Sequence, residues 1–402
     1  MRKTSAAHCL RLIPFVVLLL FYFPVSYAAS LAWAESPPAR HPGKPQPALV
    51  EVVFVLDTTG SMSDLIDAAK TKIWSIANTL ASADPSPEIR MGLVGYRDRG
   101  DAYVTALTPL SQDLDAVYAD LMKFRADGGG DTPESVNQAL YEAVTRSPWS
   151  PTERKAYRVI FLVGDAPPQM NYSNDVRYAE SCRLAAGRGI VVNTIQCGDL
   201  AETTPVWKEI ARLGEGEYFH VAQSGSAVLY DTPFDEKIAG LSKELDDTRI
   251  YYGSAAEMAE SESRRKTADS IYASAKPAAV AQRTVFNASA AGKENFSGSQ
   301  ELVQDVTSGQ VDVSRIEKSE LPEELQKMKP ADLKRLIAER SEKRKVLQTQ
   351  IGELSKKRQA YIQAKVQEDK EAGAQSLDAK VFKCIKSQTR DQGMTYKGGP
   401  VY

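Results

Sequence analysis

Three oxygen-bearing side chains stand at alternate positions behind an apolar run. Val50–Leu56 is dense in β-branched and aromatic residues, and Asp57, Thr59 and Ser61 follow it, with Gly60 between the hydroxyls. A carboxylate and two hydroxyls are hard donors, of the kind that suits Mg²⁺ or Ca²⁺. Two more oxygen donors sit in similar settings. Thr132 lies in Gly128-Gly129-Gly130-Asp131-Thr132-Pro133-Glu134, and Asp165 follows the apolar run Val159–Gly164. Three hydroxyls and two carboxylates could surround one octahedral cation, with water completing its shell. The plainer alternative is that Asp57 and Thr132 cap helix N-termini, as their residue types often do. Asp131 reads as a loop or capping residue and Asp98 as a hairpin residue.

The donors need elements that carry them to one place. Strand-like and helix-like stretches alternate from Leu49 onward. Strands are expected over Leu49–Asp57, Ile89–Tyr96, Val104–Leu107, Arg158–Gly164, Ile190–Gln196 and Glu217–Val221. Helices are expected over Met62–Ala81, Asp113–Phe124, Pro133–Thr145, Asn174–Ala186, Pro205–Leu213 and Phe234–Leu245. Leu65, Ile66, Ala69, Ile73, Ile76, Ala77 and Leu80 fall on one face of the first helix. The second and third strands read as a hairpin through 97–101. Alternation of this kind predicts an α/β fold: a doubly wound, mostly parallel sheet with helices on both faces. Ligands bind such sheets outside the carboxyl ends of the strands, at the switch point, where Asp57 and Asp165 would lie.

Several chemistries lack their residues. An aspartate-nucleophile phosphatase would need a second acid two residues after Asp57, and position 59 is Thr. A serine hydrolase needs a histidine; beyond the first 48 residues only His220 remains, read as a strand-end packing residue, and no Gly-x-Ser-x-Gly occurs. Gly128–Gly130 lacks the Lys-Ser/Thr of a phosphate loop. No Cys/His cluster suggests zinc. An enzyme is therefore not expected; a metal-assisted hydrolase would need a base that does not stand out.

Asp57-Thr58-Thr59-Gly60-Ser61 resembles the metal-ion-dependent adhesion site of von Willebrand factor type A domains, Asp-x-Ser/Thr-x-Ser. Thr132 and Asp165 fall where that family places its separate threonine and its last aspartate. The resemblance covers about 49–250. The wording Asp-Thr-Thr-Gly-Ser-Met, Gly-Gly-Asp-Thr-Pro-Glu and Asp-Ala-Pro-Pro is most similar to the bacterial exported branch. Thr59 replaces the commoner Ser, keeping the hydroxyl and adding a methyl. The resemblance implies that Asp57, Thr59, Ser61, Thr132 and Asp165 hold a divalent cation, Mg²⁺ first, with Ca²⁺ and Mn²⁺ as alternatives. It also implies a protein partner that supplies an Asp or Glu carboxylate to the cation. Two carboxylates only balance a divalent charge, so a further anionic oxygen would be welcome.

The rest of the chain frames that site. Residues 1–34 read as a signal peptide: Arg2, Lys3 and Arg11, then an apolar stretch, then Ala32-Trp33-Ala34 before Glu35. This implies a periplasmic or secreted protein with no membrane span after cleavage. Residues 35–48 carry five prolines and read as an extended linker. Residues 251–329 are Ala- and Ser-rich and read as a linker with short elements. Asn287-Ala-Ser and Asn295-Phe-Ser there read as chance matches to the glycosylation pattern. Residues 330–402 read as a charged helical region. Its heptad through Leu333, Ile337, Leu347, Ile351, Leu354 and Tyr361 is interrupted by Arg340, Arg344 and Arg358. A coiled coil, with oligomerisation through it, and a helical hairpin packed on Leu377–Ile385 both remain open. Its basic excess reads as a solvated face, or else as a surface for an acidic partner. The latter gives the rival function: a periplasmic scaffold whose metal site is structural and whose basic helix binds. The whole chain has a net charge of −2; without the three cations of residues 1–34 it is about −5, too mild to argue for nucleic acid. Cys182, Cys197 and Cys384 leave an odd thiol in an exported chain. Helix and strand rises place Cys182 and Cys197 at different heights, against a disulfide.

Overall fold

The computed structural model describes residues 48–130, 132–223, 230–368 and 376–401. The signal peptide and nearly all of the proline-rich linker fall outside them, as does Asp131. Six strands form one sheet: β1 Leu49–Asp57, β2 Glu88–Tyr96, β3 Thr105–Ser111, β4 Ala156–Gly164, β5 Ile190–Cys197 and β6 Glu215–Val221. Their order is β3-β2-β1-β4-β5-β6, with β3 antiparallel to β2 and every other pair parallel. This is the doubly wound sheet expected, and β1 lies at its centre, between β2 and β4.

The thirteen described helices of α type are α1 Ser63–Ala81, α2 Leu114–Lys123, α3 Val136–Arg146, α4 Tyr178–Ala186, α5 Thr203–Leu213, α6 Asp235–Asp246, α7 Ala255–Ser274, α8 Pro277–Ala288, α9 Lys293–Ser297, α10 Leu302–Thr307, α11 Glu323–Gln326, α12 Pro330–Glu368 and α13 Leu377–Gln388. All nine residues of β1 are buried, as a strand covered on both faces requires. Val50, Val52, Phe54 and Leu56 share a core with α1, α2, α8 and α13; Val53 and Val55 share the opposite one with α3, α4 and α5. The period of two along the strand divides the layers.

The region after 250 departs from expectation. A helix over 254–274, one of the short elements the sequence allowed, is present as α7; the linker reading of 277–299 is corrected by α8 and α9, and the chain from Pro47 to Tyr402 is one compact unit. Ala279, Val280, Ala281, Thr284 and Phe286 are buried. Small side chains gave α8 little hydrophobic contrast, yet they let it lie close against α1 and α6. Ser254 and Glu257 form a capping box that starts α7. Asn287 and Asn295 are buried and bonded to each other (Nδ2 to Oδ1, 2.7 Å), which takes them out of reach of glycosylation.

The apolar seam of α12 is spent inside the chain. Leu333 and Ile337 pack with Tyr252, Leu302 and Val303, while Leu347 and Ile351 pack with Leu245 and Phe296. That leaves this seam no free face for a coiled coil. Arg344 and Arg358, which seemed to interrupt the heptad, are buried on it and ion-paired with Glu301 and Asp235. The basic reading of the helix holds only for its outer residues, such as Lys334, Lys345 and Lys356, which are exposed. Cys182, Cys197 and Cys384 are buried and unbonded to one another. Among the described residues no helix is long and apolar enough to cross a membrane.

Candidate functional site

The carboxyl ends of β1 and β4 lie side by side, with Leu56 opposite Val163. Asp57 ends β1 and Asp165 follows β4, so the two acids meet at the switch point because the chain winds outward from β1 in both directions. Beyond Asp57 the chain turns sharply. Asp57 Oδ1 accepts the Thr59 N–H at 2.9 Å and the Thr59 hydroxyl at 2.6 Å. Thr59 Oγ1 lies 3.3 Å from Ser61 Oγ. A short turn, Gly60–Met62, leads into α1.

The glycine loop crosses over this turn. Gly60 N–H donates to Gly128 O at 3.2 Å, and Asp127 N–H donates to Thr58 O at 3.2 Å. Gly128 and Gly129 both have positive φ, 77° and 80°. Thr59, Ser61, Thr132, Glu134 and Asp165 line one cleft of about 380 Å³, and the glycines form part of its wall. Asp57 is fully buried at the end of β1 beside it. All five residues singled out from the sequence therefore gather at one place. Ser61 and Thr132 are exposed there and Asp165 is half-buried.

The capping alternative does not hold. Neither α1 nor α3 has a side-chain cap; the residues before them are Met62 and Ser135. The Asp57 carboxylate serves the turn instead.

The site is acid-rich, and among the described residues no basic side chain is ion-paired with Asp57, Glu134 or Asp165. Asp57 Oδ2 is buried with no hydrogen-bond partner, and so is Glu134 Oε2. Burial pushes the Asp57 carboxyl up to about 7 against the pull of its Thr59 bonds; the Asp165 charge adds to the rise while the Asp165 N–H opposes it. Burial pushes Glu134 up to about 9, with Asp57, Asp98, Asp101 and Asp165 adding to it. Orphaned carboxylate oxygens beside hydroxyls fit a hard divalent cation, which would satisfy both oxygen valence and charge. Among the described residues no three His, Cys, Asp or Glu side chains converge in a metal-holding group; the donors of this cleft are mostly hydroxyls.

Sequence reasoning left several contributors unassigned. Glu134 was visible two residues after Thr132, but its burial was not. Arg97 is buried and donates to Thr58 O (3.2 Å) and Arg125 O (2.7 Å), fastening the turn to the glycine loop. Gln223 Nε2 donates to Asp165 Oδ2 at 2.7 Å and to Ser61 O at 3.2 Å. Asp98 does more than turn a hairpin: it is buried and accepts from Ser135 Oγ (2.7 Å) and Tyr172 OH (2.6 Å). His220 is exposed rather than packed, its ring 2.9 Å from Gly198 O and 3.1 Å from Asp199 Oδ1.

Residues 51–232 match the sequence profile of a family described as von Willebrand factor A domain. The chain is 33% identical over 116 residues to human von Willebrand factor A domain-containing protein 7, covering 29% of this chain and 12% of that protein. It is 22% identical over 204 residues to a putative ariadne-like RING finger protein of Acanthamoeba polyphaga mimivirus, covering 46% of this chain and 19% of that one. The chain thus spans about a fifth or less of the length of these curated relatives. Among solved structures, the proximal thread matrix protein 1 of the mussel byssus aligns with a TM-score of 0.34 at 14% identity, over 44% of this chain and 42% of that one. The SpRpn10 VWA domain aligns with a TM-score of 0.33 at 12% identity, over 44% and 89%. The strand order and the family profile coincide on the same stretch: residues 51–232 are similar to the von Willebrand factor A domain family and carry the doubly wound sheet.

Proposed function

We propose that this chain is an exported protein-binding module that holds a divalent cation and uses it to capture an acidic side chain of a protein partner. The observation that carries the reading is the buried, unpartnered Asp57 Oδ2 beside a cleft lined by Thr59, Ser61, Thr132 and Asp165. Those five residues would hold the cation, and the hardness of the donors favours Mg²⁺, with Mn²⁺ or Ca²⁺ able to replace it. The cation supplies a concentrated positive charge at an exposed rim. A partner's Asp or Glu completes its shell in a charge-assisted contact. Thr59 and Gly60 keep the turn in register, and Gln223 orients Asp165. Export and the likeness to the bacterial exported branch rest on residues 1–34 and on the wording of the three motifs.

A pull-down from the exported fraction, with and without EDTA, tests this reading. Wild type should retain a partner only with Mg²⁺, and Asp57→Ala should lose it while keeping its circular dichroism. Retention by Asp57→Ala in EDTA would defeat the proposal. The rival scaffold reading needs a different probe, because α12 and α13 contribute buried residues to the folded unit and their deletion would expose its core. Charge reversal at exposed Lys334, Lys345 and Lys356 probes it without touching the core. Loss of the partner there, with EDTA having no effect, would favour the scaffold.

A further inference from the structure

We infer that the cleft reads two neighbouring side chains of the protein partner: an acid at its cation end and an apolar side chain that Leu200 receives. The inference rests on the cation-binding reading above and adds to it the chemistry of the partner.

Among the described residues three large apolar side chains are exposed: Met170, Leu200 and Val346. Such residues scattered singly are ordinary on a protein surface. Two of these three are not scattered. Met170 stands on the loop after β4 and Leu200 on the loop after β5, at the sheet end that carries the oxygen donors. Leu200 is 37% exposed and lines the same cleft as Thr59, Ser61, Thr132 and Asp165; Ala166 and Cys197 line it too. The strand order sorts these residues. β4 lies between β1 and β5, so the hydroxyls that follow β1 stand on one side of Asp165 and Leu200 on the other. The cleft therefore has a polar end and an apolar end. Val346, on α12, lines no part of it.

The backbone holds Leu200 in place. Gly198, with a φ of 70°, turns the chain out of β5, and its N–H donates to Val221 O at 3.0 Å. Leu200 O accepts from Gln196 Nε2 at 3.2 Å and from the Thr203 N–H at 3.1 Å. A leucine presented on a loop fixed by its main chain gives up little freedom when a partner covers it. The cleft, about 380 Å³, is at the small end of ligand clefts and suits a pair of side chains. A cation attracts every carboxylate alike, so it selects poorly among acidic partners. An apolar contact beside it supplies the selection, because only a partner with an apolar neighbour to its acid buries Leu200.

A library of displayed random peptides around one fixed glutamate tests the inference, panned on the full chain in MgCl₂ and eluted with EDTA. Peptides eluted from wild type should carry Leu, Ile, Val, Met or Phe close to the glutamate. The enrichment should be about tenfold, the discrimination that one buried aliphatic side chain supplies. Leu200→Ser should lose that enrichment and still release acidic peptides to EDTA. Leu200→Met and Val346→Ser should both keep it. An equal apolar preference in wild type and Leu200→Ser would overturn the role of Leu200 and leave the cation reading standing. So would EDTA-eluted peptides with no apolar preference at all. Loss of the preference in Val346→Ser as well would overturn it, as an effect not confined to the cleft. A wild type that releases no peptide to EDTA would overturn both readings.

Discussion

Arg344 of α12 grips Glu301 with both arms of its guanidinium, Nη1 to Oε2 at 3.0 Å and Nη2 to Oε1 at 3.1 Å, and both side chains are buried. The same arginine donates to Thr248 Oγ1 and O, at 3.0 and 3.1 Å. Glu301 in turn accepts from the N–H groups of Ile250 and Gln304, at 2.9 and 2.7 Å, capping α10. One residue of the long helix thus fastens the segment after α6 to the start of α10. Arg344→Ala should cost about 3–5 kcal/mol in urea unfolding, because it strands a buried carboxylate. Lys345→Ala, one residue away and exposed, should change stability by less than about 0.5 kcal/mol. Equal effects from the two would mean that the pair is not what holds the two segments together.

That pair also shows where the sequence stops speaking. The alternation of strands and helices announced the sheet, because buried parallel strands such as β1 are apolar without interruption. The five site residues were legible because their types and spacing are local. Arg344 and Arg358 read as flaws in a heptad, since a charge looks solvated until its partner 43 or 123 residues away is known. Glu134 was in plain view but unassigned, because its burial comes from the loops after β4 and α2 folding together. The small residues of α8 hid a packed helix, as period and contrast both fade when Ala and Ser line the contact.

The acidity of the site sets a pH dependence. Asp57 is pushed up to about 7 and Glu134 to about 9, chiefly by burial, from ordinary values near 4. A raised carboxyl binds its proton more tightly in the folded state. Its contribution to stability is complete at low pH and is lost as pH rises through the folded value. In EDTA the unfolding free energy should therefore fall between pH 5 and pH 9, by at most about 1.4 kcal/mol per pH unit per group. Asp57→Asn should flatten the part below pH 7. Excess MgCl₂ should oppose the fall, since the cation favours the ionised forms. An identical pH slope in wild type and Asp57→Asn would show that Asp57 is not the titrating group.

The glycine loop should tolerate a methyl at one position and not at its neighbour. Gly129 has a φ of 80°, and a Cβ there would press on Thr59 at 3.1 Å. Gly130 has open space around it and no positive φ. Gly129→Ala should cost about 1–2 kcal/mol for the backbone alone and weaken Mg²⁺ binding by moving the Thr59 hydroxyl. Gly130→Ala should match wild type in both thermal unfolding and Mg²⁺ titration. If both variants bind Mg²⁺ as wild type does, the loop does not position Thr59.

Three unpaired thiols in a chain proposed to be exported call for protection, and the fold supplies it. Cys182, Cys197 and Cys384 are each 0% exposed. Burial pushes the Cys182 thiol up to about 12 and the other two well above the usual thiol range. A thiol held protonated is a poor nucleophile and a poor target for oxidants. In a chain beginning at Glu35, a thiol reagent should find no reactive cysteine in the native protein. It should find three in denaturant without reductant. Labelling should follow global unfolding, since Cys182 lies under α5, with its Sγ 3.6 Å from Ile210 O, and Cys384 sits on the core face of α13. Fewer than three thiols in the denatured, unreduced chain would reveal a disulfide and overturn this arrangement. Fast labelling of one cysteine in native buffer would instead locate an opening of the helix that covers it.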